Sequence, residues 1–243
     1  MMISDQPKVR LLLILSAVFI ACAVTAELIS SKVFIIDISI GSWNVGSFPG
    51  VVGILPWPVV FLVTDVLNEF YGKKTVRFLS VLTCFIIALS FIIVSIAMEV
   101  DTILPSPTNE EFSSVFGMSR WIIAGSIAAF LISQLIDSMI FWLIKRSTGD
   151  RWIWLRSTGS TVVSQLIDSF VVLYIGFVLP GKLPQGTGFI ETGMTNYVIK
   201  LLIAVGLTPA IYLMHWLVRM YLGKATVVEL QQQAAGEAES TKI

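Results

Sequence analysis

The sequence predicts an all-α polytopic membrane protein with six transmembrane helices and both termini in the cytoplasm. Three observations lead there. Hydrophobic residues fill 56% of the 243 positions and charged residues only 13%, about half the charged share of a soluble domain. Six stretches reach the roughly 20 mostly apolar residues that cross a hydrocarbon core: 11–30, 50–71, 76–98, 120–144, 156–179 and 196–221. In that layout twelve of the 16 basic residues fall on one side, leaving Lys32, Arg120, Lys182 and Lys200 on the other. An excess of Lys and Arg marks the cytoplasmic face, and an even number of spans returns the chain to that face.

The first span follows "PKVR", as a signal peptide would, but its apolar run is too long and more spans follow, so it reads as an uncleaved helix. The second contains Pro56 and Pro58 and is expected to be kinked or broken. Between these spans, 31–50 alternates and is rich in β-branched residues, which suggests a small extended cap. The segment 99–118 is acidic and proline-containing and reads as a solvated loop. Residues 1–223 form one membrane transport domain; the tail 224–243 is polar and expected to be a poorly ordered cytoplasmic segment. Cys22 and Cys84 lie in apolar runs and read as packing residues, not a disulfide or zinc site. A net charge of zero gives no reason to expect nucleic acid as a partner.

Ionisable residues inside the spans carry the functional signal: Glu27, Asp65, Glu69, Asp137, Asp168, Lys200 and His215. A charge at the bilayer centre costs about 2.5–3.5 kcal/mol on insertion scales and usually faces a cavity or a partner. The words "SQLIDS" at 133–138 and 164–169 repeat one arrangement: Gln134 with Asp137, and Gln165 with Asp168. A spacing of three puts each glutamine on its aspartate's helix face. The fourth and fifth spans form an antiparallel hairpin, and the two aspartates lie roughly 12 and 18 Å from its cytoplasmic end, at comparable depth. Polar stripes extend the pattern. Ser126, Ser133 and Asp137 share one face, as do Ser157, Thr161, Ser164 and Asp168, and as do Asp65, Asn68, Glu69 and Gly72.

Each residue has a plainer use beside the functional one. The Ser and Thr of the stripes read as bonds between helices, and Gln134 and Gln165 serve equally as bonds or as ligand contacts. Asp65 and Glu69 lie nearer the cytoplasm, where Lys73 or Lys74 could pair with Glu69. Lys200 either snorkels to the outer interface or pairs with Asp168 or Glu27. Trp57 either packs or stacks a flat ligand. His215, the sole histidine, has no second ligand at metal spacing, so neither a metal nor a cofactor is expected.

No HExxH, GxSxG, Cys–His pair or Walker loop is present, so an enzyme is not expected. Two membrane aspartates could form an aspartyl-protease dyad, but the second lacks a glycine-rich neighbour. Carboxylates, amides and aromatics together suit a planar, nitrogen-rich solute.

The stretches "FLVTDVLNEFYGKKTVR" (61–77), "WLRSTGSTVVSQLIDSF" (154–170) and "NYVIKLLIAVGLTPAIY" (196–212) resemble the queuosine-precursor transporter family, also grouped as vitamin-uptake transporters. The resemblance covers about residues 50–220. It implies a six-helix bacterial inner-membrane protein that takes up the 7-deazaguanines preQ0 and preQ1. The matching positions are Asp65, Asn68, Glu69 and Gly72; Gln134 and Asp137; Arg156, Ser157, Ser164, Gln165 and Asp168; and Lys200, Pro209 and Tyr212. The substrate-binding residues expected are Trp57, Asp65, Asn68, Glu69, Gln134, Asp137, Ser164, Gln165, Asp168 and Lys200. The partners are a deazaguanine-like small molecule and the lipid bilayer, with a homo-oligomer or an energising module left open. The runner-up is a substrate-binding subunit of an energy-coupled importer that docks through Ala17 and Ala21 of the first helix. A purely structural membrane partner is a third reading.

Overall fold

The computed structural model describes residues 6–40, 43–118, 120–149, 151–181 and 188–240. Helix α1 (Pro7–Leu28) leads into an antiparallel hairpin, β1 (Val33–Ile40) and β2 (Trp43–Val51), with Val33 opposite Val51. This hairpin is the extended cap expected over 31–50. A short 3₁₀ turn, Val52–Ile54, is separated by a turn at 55–56 from α2 (Trp57–Met98). The expected break in the second span lies there. Pro58 sits in the first helical turn, where its missing N–H costs nothing.

Straight, the 42 residues of α2 would measure about 63 Å at 1.5 Å per residue, twice the hydrocarbon core. The helix is not straight. Gly72 has φ 83° and ψ 170°, a conformation open to glycine and strained for other residues. Contacts with α4 (Arg120–Thr148) show that the chain reverses there. Thr64 meets Gln134, Asn68 meets Ser138 and Glu69 meets Lys145, all moving toward the cytoplasmic end. Beyond Gly72 the direction turns back, and Cys84 meets the Ile127 carbonyl. Among the described residues five helical stretches are long and apolar enough to cross a membrane; α2 crosses twice, giving six passages.

Helix α3 (Asn109–Phe116) occupies the segment expected to be a loop. It is exposed as expected, but helical. Thr108 accepts from the Glu111 N–H at 3.2 Å and the Glu111 carboxylate accepts from the Thr108 N–H at 2.7 Å, a capping box that starts the helix. Helices α4 and α5 (Ile153–Leu173) pair along their length, and α5 ends in a π turn, Tyr174–Val178. They come closest at Gly125, where an added Cβ would lie 2.9 Å from the Gly176 nitrogen. The last passage is two helices, α6 (Phe189–Gly206) and α7 (Thr208–Leu222). Pro209 interrupts what was expected to be one span, because it cannot donate to the preceding turn.

The tail corrects the sequence reading. Residues 224–240 form α8 (Lys224–Ser240). Val227 and Leu230 join the main core, and Ala234 packs with Phe141 and Trp142. Gln232 and Gln233 lie exposed on the opposite face of this amphipathic helix, while Gln231 turns inward. Lys8 of α1 meets Glu229 of α8 at 2.9 Å, so both chain ends share the face marked as cytoplasmic by the basic residues. The main core gathers Phe19, Val60, Leu67, Phe70, Ile87 and Phe130. Phe78, Phe85, Ile93 and Leu202 are exposed, as an apolar surface facing lipid should be.

Candidate functional site

The two "SQLIDS" words face each other. Ser164 of the second donates to Asp137 of the first at 3.0 Å, and Ser133 of the first donates to Asp168 of the second at 3.3 Å. The exchange follows from the antiparallel pairing of α4 and α5, which places equivalent residues of the repeat across a local twofold. Both aspartates are buried. Their remaining partners differ. Thr161 stands 3.4 Å from Asp137, so Asp137 is met by hydroxyls. Asp168 is met by the Lys200 ammonium from α6. Of the two uses open to Lys200, pairing with Asp168 is the one found. Separate partners for each carboxylate are not the arrangement of two acids sharing one proton.

A narrow cleft of about 220 Å³ lies between the first arm of α2 and the α4–α5 hairpin. Phe61 and Thr64 line it from α2, Ser133, Gln134 and Asp137 from α4, and Thr161, Ser164 and Gln165 from α5. Four of the expected residues thus share one cleft: Gln134, Asp137, Ser164 and Gln165. Gln134 is held by Thr64, 3.5 Å from its Oε1. The spacing 61, 64, 68 marks a helix face that could have revealed Phe61 and Thr64; the sequence reading followed the charges at 65 and 69 instead.

Those charges face another way. Asp65 accepts from Ser157 and borders a second cavity of about 210 Å³. Asn68 accepts from Ser138 at 2.7 Å. Glu69 is fully buried and meets Arg156 at 2.9 Å, Lys145 at 3.0 Å and Gln231 of α8 at 2.7 Å. The expectation of a surface pair with Lys73 or Lys74 gives way to this interior network, because Glu69 points toward α4 and α5. Arg156 also donates to the Gly149 carbonyl at 2.9 Å. Trp57 stacks on Phe61 with centroids 5.8 Å apart and lies 5.7 Å from Phe130; it backs the cleft aromatic and is not part of the lining. Glu27 accepts from Ser126 at 2.5 Å, tying α1 to α4. His215 has its Nδ1 2.9 Å from the Ile211 carbonyl and packs on Phe70.

A buried carboxylate is costly unless hydrogen-bonded or paired. Glu69 and Asp168 have cations. Asp137, like Asp65 and Glu27, is met by hydroxyls, and it adjoins the cleft that Gln134 and Gln165 also line. Among the described residues no group of three His, Cys, Asp or Glu could hold a metal.

Neither a curated protein nor a solved structure gives a significant match to the chain. A family model described as "Putative vitamin uptake transporter" matches residues 51–214, which takes in α2 through about the first half of α7 and every residue lining the cleft. The chain is a multi-pass membrane protein that belongs to this transporter family.

Proposed function

We propose that this transporter imports 7-deazaguanine precursors of queuosine, preQ0 and preQ1, across the bacterial inner membrane into the cytoplasm. The observation that carries the reading is the cleft around Asp137. A carboxylate accepts two hydrogen bonds from the N–H and amino edge of a guanine-like ring. Gln134 and Gln165 offer a donor and an acceptor each, which suits the ring carbonyl and the neighbouring nitrogen. Phe61, backed by Trp57, supplies an aromatic face. Of these residues Phe61 and Gln165 lie in the stretches that resemble queuosine-precursor transporters, and Gln134 and Asp137 are matching positions of the other "SQLIDS" word. No step here alters the solute, so the role is transport and not catalysis.

As it stands the cleft has room for about one water molecule, far less than the roughly 300–1,000 Å³ of most ligand pockets. A bicyclic base enters when the first arm of α2 parts from the α4–α5 hairpin. The test is uptake of labelled preQ1 by cells that cannot make it. Asp137→Asn should lower uptake to background with normal membrane expression, and uptake at the parental level would overturn the reading. A panel of deazaguanines, guanine and vitamins in a thermal-shift assay would rank substrates.

One observation favours the second reading, a binding subunit of an energy-coupled importer. Ala17 and Ala21 are both exposed on α1, where small side chains let another helix approach closely. Co-purification of an ATPase module, with uptake lost in its absence, would select it.

A further inference from the structure

We propose that the solute crosses in two steps, and that Asp65 serves a second, inner binding position separated from the Asp137 cleft by Phe61 and Thr161. This rests on the transport reading above. Both cavities have Phe61 and Thr161 in their walls, so these two side chains are the partition between them. On the outer side stands Asp137; on the inner side stands Asp65.

Their order across the membrane follows from α5, which runs outward from its start at Ile153. Ser157, the partner of Asp65, precedes Thr161 and Ser164, the partners of Asp137, by four and seven residues, or about 6 and 10 Å of helix. Lys200 and Asp168 pair four residues further outward still, and Glu69 with Arg156 closes the cytoplasmic end. From outside to inside the path is therefore an ion pair, a carboxylate cavity, an aromatic partition, a second carboxylate cavity and a second ion pair. Helix α6–α7 runs alongside in the same order, with Lys200 at the outer pair and Ala204 and Leu207 at the inner cavity.

The inner cavity is the more apolar of the two. Asp65, Ser157 and Thr158 supply hydrogen-bonding groups, while Leu62, Ala204 and Leu207 supply an apolar wall. Thr158 and Thr208, with oxygens 3.4 Å apart, join α5 to α7 beside it. The class of ligand is a flat heterocycle with a donor edge for the carboxylate and an apolar face for the opposite wall. A carboxylate on each side of Phe61 lets the solute trade one acceptor for the next without crossing the low-dielectric interior unpaired.

The experiment separates binding from passage in the full-length protein, with tritiated 7-aminomethyl-7-deazaguanine as the probe. Asp137→Asn should remove the outer position and weaken equilibrium binding at least about tenfold; binding at the parental affinity would overturn the cleft assignment itself. Asp65→Asn and, without any change of charge, Ala204→Leu should leave the dissociation constant within about threefold and lower saturated uptake at least about tenfold, the signature of a step after binding. Uptake at the parental rate in both variants would overturn the inner position. So would a loss of binding as large as in Asp137→Asn, because Asp65 would then belong to a single site.

Discussion

Glu69 and Arg156 meet at 2.9 Å with neither side chain exposed to solvent. The pair joins α2 to α5, and Lys145 and Gln231 add α4 and α8 to the same carboxylate. Four helices therefore converge on one glutamate at the cytoplasmic end of the path. Removing one partner of a buried pair leaves an uncompensated charge and costs about 3–5 kcal/mol, whereas replacing both by apolar groups is often neutral. Glu69→Ala is expected to destabilise by that amount, through the guanidinium it strands. The triple replacement Glu69→Leu, Lys145→Met and Arg156→Met, which removes both cations with the carboxylate, should recover much of the stability. Thermal melting in detergent measures both, and a triple variant no more stable than Glu69→Ala would contradict the pairing.

The crossed serine–aspartate bonds are not equivalent. Asp168 keeps the Lys200 ammonium when Ser133 is removed, whereas Asp137 keeps only hydroxyl partners, Ser160 and the longer contact to Thr161, when Ser164 is removed. A hydrogen bond to a charged group contributes about 1.5–3 kcal/mol. Ser164→Ala should therefore weaken solute binding by about tenfold or more, and Ser133→Ala should have the smaller effect. Equilibrium binding to both variants gives the order; the reverse order would mean that Asp168 is the principal acceptor.

Close packing in a bilayer depends on small residues at helix crossings, since lipid is as apolar as the helices themselves. Gly125→Ala places a Cβ 2.9 Å from the Gly176 nitrogen and 3.1 Å from the Val172 carbonyl, backbone atoms that cannot swing aside. Overpacking of this kind costs about 1–3 kcal/mol. Gly236→Ala meets nothing within 4 Å and should be neutral or stabilising by up to about 1 kcal/mol, the helix preference of alanine. Thermal melts of the two variants should move in opposite directions or differ by several degrees.

Spans, orientation and the twin aspartates were legible because each rests on a local pattern: apolar run length, basic flanks, a spacing of three. The reversal at Gly72 was legible as a loop between spans, though its single-residue tightness was not. What stayed hidden depends on which helices meet. Glu69 has Lys73 and Lys74 nearby in sequence, yet its partners lie on α4 and α5. Phe61 looks like any apolar membrane residue until Gln134 and Thr161 are seen beside it. Thr64 and Asp65, adjacent in sequence, face different neighbours and different cavities. The tail was misjudged for a related reason. Val227, Leu230 and Ala234 form a stripe too sparse to stand out by composition, and it becomes a helix face when α2 and α4 offer a surface to cover.

Helix α8 also gives the fold a contact at the cytoplasmic end that responds to acid. Lys8 holds the Glu229 carboxyl below its usual range, first through the hydrogen bond at 2.9 Å and then through its charge. A carboxyl with a depressed value in the docked state contributes its stabilisation above the ordinary value of 4.5, and that contribution fades as the pH falls through the lower, docked value. Both side chains are partly exposed, so the effect is small and screened by salt. The readout is a thiol at Ala234, which is 2% exposed against Phe141 and Trp142. In Ala234→Cys the labelling rate, divided by that of a free thiol at the same pH, should be low at neutral pH and rise below about pH 4.5. Adding Glu229→Gln should raise the neutral rate and flatten the acid dependence, and adding Gln231→Ala, which frees α8 from Glu69, should raise labelling at every pH. Labelling that is fast and unchanged across all three proteins would show that α8 does not stay docked on α2 and α4.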